Sequence, residues 1–249
     1  MTSPVTIGPA TLYLGDAYKI RPKLGFMDAD VMDPPYRFNN SGGGAYRKAR
    51  GASDQIVAEG LDRGFDHSII DPALSGAVVV FCHNDQIGEL VGDMVQGEDD
   101  ALLVADMFAR LRPRFHRAAL CVWLKTNPPP HRNKHYIADM EPYIHAWNKG
   151  YHPVGEHHDM HRHIAASSMP SKVFGHPTVK PLPVMNKIVT NVQGKRICDP
   201  FMGTGSTGIS AIRAGKQFWG IEKNPKHFET ACARITAAVQ EMEAVCGCA

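Results

Sequence analysis

The chain predicts an α/β fold with a mostly parallel sheet flanked by helices, and three observations carry that expectation. Short apolar runs recur along it and read as strands, amphipathic stretches of helical period lie between them, and a glycine turn near residue 203 joins a strand to a helix. The strand-like runs cover residues 11–14, 29–32, 77–82, 119–124, 143–147, 196–198 and 217–221. Residues 85–96 and 101–111 read as helices. Residues 184–192 carry apolar side chains at 185, 188, 189 and 192, the spacing of one helical face. A helix over 207–214 stops at Gly215, a C-terminal cap, and a last helix starts with Asn224 as cap and Pro225 in its first turn. Two stretches, 37–52 and 151–174, lack periodicity and read as loops.

Composition narrows the class. At 249 residues with 43% apolar and 21% charged side chains, a core forms without staples and wholesale disorder is excluded. Lys plus Arg is 27 against 25 Asp plus Glu, so any basic surface is local rather than a general coat. The apolar run 77–82 is far too short to span a bilayer, and residues 1–16 carry no secretory pattern. Six cysteines at 82, 121, 198, 232, 246 and 248 form no Cys-x-x-Cys pair, so reduced thiols in a cytoplasmic protein are expected.

Residues 197–208 follow a strand and open a helix, and 203–208 fit Gly-x-Gly-x-x-Gly. Bare backbone there lets a nucleotide-like ligand approach, and the helix start offers free N–H groups. Glu222 ends the following strand, where an acid accepts hydrogen bonds from ribose hydroxyls. A hydride-carrying dinucleotide fits less well, because Asp199-Pro200-Phe201 separates the strand from the glycines. Only 27 residues follow Glu222, so the other strands come from earlier in the chain and the order is circularly permuted.

Residues 29–36 end a strand in Asp33-Pro34-Pro35-Tyr36. The prolines stiffen the turn and hold the Asp33 carboxylate, the Pro34 carbonyl and the Tyr36 ring in fixed relation. Two acceptors match the two N–H donors of an exocyclic nucleobase amine, and the ring offers a stacking face. Acceptors aimed at those hydrogens localise the nitrogen lone pair and stabilise the charge that develops on methylation. A rigid proline turn, or a Pro-Pro-x-Tyr ligand, is the alternative. A second copy, Asn127-Pro128-Pro129-Pro130, lacks the aromatic and reads as a structural loop.

Together the two turns resemble the amino-directed DNA methyltransferases, in the order of their permuted β class. Leu14-Gly15-Asp16, 123–127, 141–143 and His176-Pro177-Thr178-Val179-Lys180-Pro181 agree with that family. The resemblance implies a Rossmann-like methyltransferase domain over 1–249, with a catalytic half at 1–150, a short variable target-recognition loop at 151–175 and a cofactor half at 176–249. It implies S-adenosylmethionine as cofactor. Asp33, Pro34, Pro35 and Tyr36 would hold the target base. Asp199, Phe201, Gly203, Gly205 and Ser206 would line the cofactor turn, with Glu222 at the ribose, Asp16 at the adenine, and Thr178 and Lys180 at the carboxylate. Asp33 in first place leans toward adenine N6, with cytosine N4, or a non-catalytic DNA-binding or cofactor-sensing protein, as alternatives. The implied partner is double-stranded DNA with a flipped-out base, as in restriction–modification, and a homodimer stays open.

Residues 107–138 hold seven Lys or Arg and no acid, a run suited to phosphates. Arg132 and Lys134 there, with Arg47, Lys48 and Arg50 in the glycine loop, are the expected DNA contacts. His152, His157, His158, His161 and His163 crowd one loop without a nearby cysteine, so a polar DNA-facing loop is expected and no metal.

Overall fold

The computed structural model describes residues 3–36, 63–82, 115–128, 136–169 and 179–246. The expected helices at 85–96 and 101–111 and the loop at 37–52 lie outside them.

Nine strands form one sheet: β1 (Val5–Ile7), β2 (Ala10–Leu14), β3 (Met27–Met32), β4 (Ser75–Phe81), β5 (Arg117–Lys125), β6 (Met140–Trp147), β7 (His163–Ala166), β8 (Arg196–Asp199) and β9 (Gln217–Glu222). Their spatial order is β1-β2-β9-β8-β3-β4-β6-β5-β7. The run from β2 through β9, β8 and β3 to β4 is parallel, while β6 is antiparallel to both neighbours. The two late strands β8 and β9 are thus inserted between the early strands β2 and β3, the permuted order read from the sequence.

The central strand explains why the run 77–82 is continuously apolar. All seven residues of β4 are buried. Ala77, Val79 and Phe81 pack on one face with Val184, Met185, Ile209 and Ile235, while Val78 and Val80 pack on the other with Ile20, Ile69 and Ile144. A parallel strand covered on both faces needs apolar side chains of both parities. The first face is covered by α2 (Leu182–Asn191), α3 (Ser206–Arg213) and α4 (Pro225–Cys246); α1 (Ala17–Ile20) belongs to the second. The helix boundaries behave as their residues predict. The Asn224 side chain accepts from the Lys226 N–H at 3.0 Å, and Gly215 takes φ +65° after α3.

The loop expected over 151–174 is corrected for its described part. It contains a 3-10 turn at His157–Met160 and the edge strand β7, which pairs in parallel with β5. The strand has only four residues, one of them buried, so it leaves no readable period. β1, three residues long, and α1, four residues long, escaped the sequence reading for the same reason. The Asn127 turn has a structural role. Its amide donates to the Ser168 carbonyl at 3.2 Å and accepts from the Ser168 N–H at 2.6 Å, tying β5 to the end of β7.

Two contacts, one buried and one nearer the surface, lock β3 in place. Arg21 and Asp30, 0% and 1% exposed, meet through Nε at 3.0 and 3.1 Å, and the other guanidinium nitrogens donate to the carbonyls of Gly25 and Leu74. At the strand's start, the Asp28 carboxylate accepts from the N–H groups of Lys195 and Arg196, both at 2.8 Å. That pair of bonds sets β8 against β3. No helix among the described residues is long and apolar enough to cross a membrane.

Candidate active site

Register brings the two diagnostic turns together. Asp30 of β3 lies beside Cys198 of β8 in a parallel pair. Three residues further on, each chain leaves the sheet on the same edge, one into Asp33 and the other into Phe201. Leu14 of β2 lies beside Glu222 of β9, so Asp16 starts from that edge as well. Carboxyl ends of parallel strands are where open α/β sheets form clefts. Here a cleft of about 690 Å³ is lined by Asp16, Asp33–Tyr36, Lys180, Asp199–Thr204, Ser206 and Glu222 among others.

β6 reaches the same edge from the opposite direction. Because it runs antiparallel to β4, with Phe81 opposite Tyr143, its first residues sit where β4 ends. β5 pairs with β6 through Trp123 and Glu141, which puts Lys125 there too. Glu141 therefore arrives beside the Asp33 turn although it is far from it in sequence.

The result is a compact charged network. The Tyr36 hydroxyl lies 2.6 Å from Asp33 Oδ1 and 2.9 Å from Glu141 Oε1. Lys180 Nζ donates to Asp33 Oδ2 at 2.5 Å and to Glu141 Oε1 at 2.9 Å. Lys125 Nζ holds the other Glu141 oxygen at 3.0 Å. Burial pushes the Asp33 carboxyl up, and the Glu141 charge adds to that against the pull of Lys180. Burial opposes ionisation of Glu141 as well, but Lys180 and Lys125 together overcome it and hold its carboxyl at about 2. For Lys180, burial works downward, yet the two carboxylates outweigh it and keep the ammonium above the usual lysine range. Burial and the adjacent carboxylates keep the Tyr36 phenol protonated. The Tyr36 ring is thus anchored by its own hydroxyl, which the sequence reading, concerned with its face, did not foresee.

The glycine turn has its own internal bonds. Gly203 takes φ +51°, and its N–H donates to Glu222 Oε2 at 2.9 Å. Glu222 Oε1 accepts from the Asn224 N–H at 2.7 Å, so the expected ribose acceptor also braces the turn. Burial raises its carboxyl, partly countered by these bonds. Asp199 accepts from the Phe201 N–H at 3.0 Å and from Thr207 Oγ1 at 2.5 Å. Burial lifts its carboxyl to about 7. Asp16 caps α1 by accepting from the Tyr18 N–H at 3.0 Å. Tyr18 and Phe65, both absent from the sequence reading, flank Phe201 with ring centroids 6.2 and 6.1 Å away. An aromatic two positions after an acidic turn was the available signal for Tyr18; Phe65 carried none.

Gly205 carries a packing constraint of its own. It is not among the cleft-lining residues, and it adopts φ +86° at the N-cap of α3. A Cβ there would come within 3.2 Å of both Ala231 Cβ and Ile235 Cδ1 on α4. It turns the chain where α4 packs close. Gly205→Ala is expected to cost about 1–3 kcal/mol from the left-handed backbone alone. Urea unfolding measures this, and an unchanged midpoint would count against the packing argument.

Of the other expected site residues, Thr178, Arg47, Lys48, Arg50, Arg132 and Lys134 lie outside the described residues. Among the described residues no cluster of three His, Cys, Asp or Glu side chains is arranged to hold a metal ion.

Comparison with known proteins bears on this geometry. The family model described as DNA methylase matches residues 28–233, which span both turns. The chain belongs to the N6/N4 DNA methylase family. Within it, the chain is 30% identical over 133 residues to Type II methyltransferase M2.DpnII of Streptococcus pneumoniae, covering 46% of this chain and about half (49%) of that relative. It is 26% identical over 252 residues to Type II methyltransferase M2.LlaDCHI of Lactococcus lactis subsp. cremoris, covering 91% of this chain and 89% of the relative. The crystal structure of the M1.HpyAVI–SAM complex superposes with a TM-score of 0.60 at 22% identity, covering 91% of this chain and 98% of the other. At that identity the superposition shows a shared fold, while membership of the family rests on the match over residues 28–233.

Proposed function

We propose that this DNA methylase transfers a methyl group from S-adenosylmethionine to the exocyclic N6 of adenine in DNA. The observation that carries the reading is that the Asp33–Tyr36 turn and the Gly203 turn line one cleft. The residues fit such a cofactor. Ser206 Oγ is buried at the cleft wall with no hydrogen-bond partner among the described residues, so it has a donor and lone pairs to offer a polar ligand. Gly203 and Glu222 would hold the ribose side, Phe201 and Asp16 the adenine, and Lys180 with Thr178 is proposed for the carboxylate end. Bound there, S-adenosylmethionine supplies an electrophilic methyl group on a sulfonium.

The chain's own groups would do the rest. The Asp33 carboxylate and the Pro34 carbonyl accept the two hydrogens of the target amine, which returns its lone pair to the nitrogen. Tyr36 presents its ring to the base, held by its anchored hydroxyl. As the N–C bond forms, the methyl–sulfur bond would break to leave a neutral thioether; the nitrogen becomes cationic, and Asp33 stabilises that charge until its proton passes to solvent. The amine must leave the base stack to reach this corner, so the target nucleotide is flipped out. Arg47, Lys48, Arg50, Arg132 and Lys134 are proposed to grip the phosphates around it. The choice of adenine rests on Asp33 in first place.

Incubating the protein with DNA and cofactor, then digesting to nucleosides, tests the reading. N6-methyladenine is expected. Methylcytosine alone would overturn the choice of base, and no methylated nucleoside would overturn the activity. Sequencing the modified positions on the same DNA would report the recognition site.

A further inference from the structure

The network around Asp33 contains an acid that neither motif includes. We propose that Glu141 is a positioning residue for methyl transfer: it shares the Lys180 ammonium with Asp33, and that sharing sets how fully the Asp33 carboxylate is available to the target amine. The proposal rests on the functional reading above.

Geometry supports it. Lys180 Nζ sits within hydrogen-bond reach of both acids, 2.5 Å from Asp33 and 2.9 Å from Glu141. Its side chain is only 6% exposed, so it has little water to lean on and must divide its donors between them. An ammonium held tightly on Asp33 would compete with the incoming amine for the same oxygen lone pairs. An ammonium drawn toward Glu141 frees them. Lys125 completes the balance from the far side of Glu141, stacked 5.1 Å over the Trp123 ring and 3.0 Å from Glu141 Oε2. It occupies one Glu141 oxygen and leaves the other for Lys180 and the Tyr36 hydroxyl.

Two substitutions pull this balance in opposite directions. Glu141→Gln removes a negative charge near Asp33 and leaves Lys180 to Asp33 alone. Both changes favour the ionised Asp33, so its titration moves down. Lys125→Met leaves the Glu141 charge less compensated, which repels Asp33 and draws Lys180 away. Both changes move the Asp33 titration up. Among the described residues, the other ionisable groups facing this corner are Tyr36 from the same turn, Cys82 at the end of β4 and Asp199 at the end of β8. All three remain in both variants, so the opposite signs expected of the two substitutions distinguish the Lys180 balance from any shared background they contribute.

The test is carboxyl ¹³C NMR titration of Asp33 in the full chain, with the resonance assigned through Asp33→Asn, followed by the pH profile of kcat for each variant. Expected are a downward shift of about one unit in Glu141→Gln and an upward shift of similar size in Lys125→Met. The acid limb of the kcat profile follows in the same directions, while cofactor KM stays near wild type. A purely structural Glu141 would lower the melting temperature and leave the titration in place. Unmoved titrations, or shifts of the same sign, overturn the proposal. Lys125→Met alone decides it if Glu141→Gln fails to fold. A wild-type chain that methylates no DNA would instead overturn the functional reading, and the Asp33 titration would still be measurable.

Discussion

Asp33→Ala is expected to lower methyl transfer by at least about 100-fold, the scale seen when one preorganised charge-stabilising group is removed from an active site. The reasoning is local. Asp33 is the only carboxylate on the rigid proline turn, and its two oxygens bond to Lys180 and the Tyr36 hydroxyl rather than to the glycine turn. Its loss leaves Lys180 with Glu141 as counter-ion, so no buried ammonium is stranded. Cofactor affinity should therefore stay within a few fold, because the Gly203–Glu222 bond is untouched and Glu141 still holds Lys180 at the cleft. Single-turnover transfer to DNA, with cofactor binding measured by calorimetry, separates the two effects. A variant that methylates at the wild-type rate would remove Asp33 from the chemistry. A variant that loses cofactor binding as well would mean the turn supports the whole cleft.

The second large effect concerns stability. Arg21→Met should destabilise the fold by about 3–5 kcal/mol at pH 8, because it leaves the Asp30 carboxylate buried without its partner. Asp30 is 1% exposed, and two backbone carbonyls lose the guanidinium at the same time. The loss should depend on pH. In the intact protein, burial already holds the Asp30 carboxyl at about 6, against 3.8 for an ordinary aspartate, with Arg21 pulling the other way. The folded state therefore binds more protons than the unfolded chain between these values, and this group's contribution declines as pH rises through that window. Without Arg21 the carboxyl rises further, and the decline extends to higher pH. Urea unfolding at pH 5 and pH 8 should show a wider gap between variant and wild type at pH 8. A gap that is small and pH-independent would show that water reaches Asp30.

Much of the fold could be read from residue pattern because the central strands obey it. The run at 77–82 is apolar on both parities since β4 is covered on both faces, and Asn224-Pro225 and Gly215 mark helix boundaries by backbone chemistry alone. β7 and β1 could not be read, since three or four residues at a sheet edge bury too little to leave a period. The site divides the same way. Asp33, Tyr36, Gly203 and Glu222 were legible because local turns hold them. Glu141 and Lys125 were not. Their segments resembled strands of the family, but nothing local marked either side chain as part of the site, and only the antiparallel register of β5, β6 and β4 carries them to Asp33. Lys180 was visible, but its contacts with acids on two other elements were not; Asp33 is 147 positions away. At Gly205 the structure adds a requirement that the glycine pattern did not show: the neighbouring helix leaves little room for a side chain.

The insertion of β8 and β9 between β2 and β3 also bears on biosynthesis. A nascent chain emerging from the ribosome exposes β2 and β3 early, but each lacks the parallel neighbour that β9 and β8 later supply. Those open hydrogen-bonding edges are sticky until translation has passed residue 222. Closure is then a late, long-range event, slow in the way non-local pairings are. Fragments from premature termination before β8 would retain the Asp33 turn yet be prone to aggregate, and co-translational chaperone demand should peak over that interval.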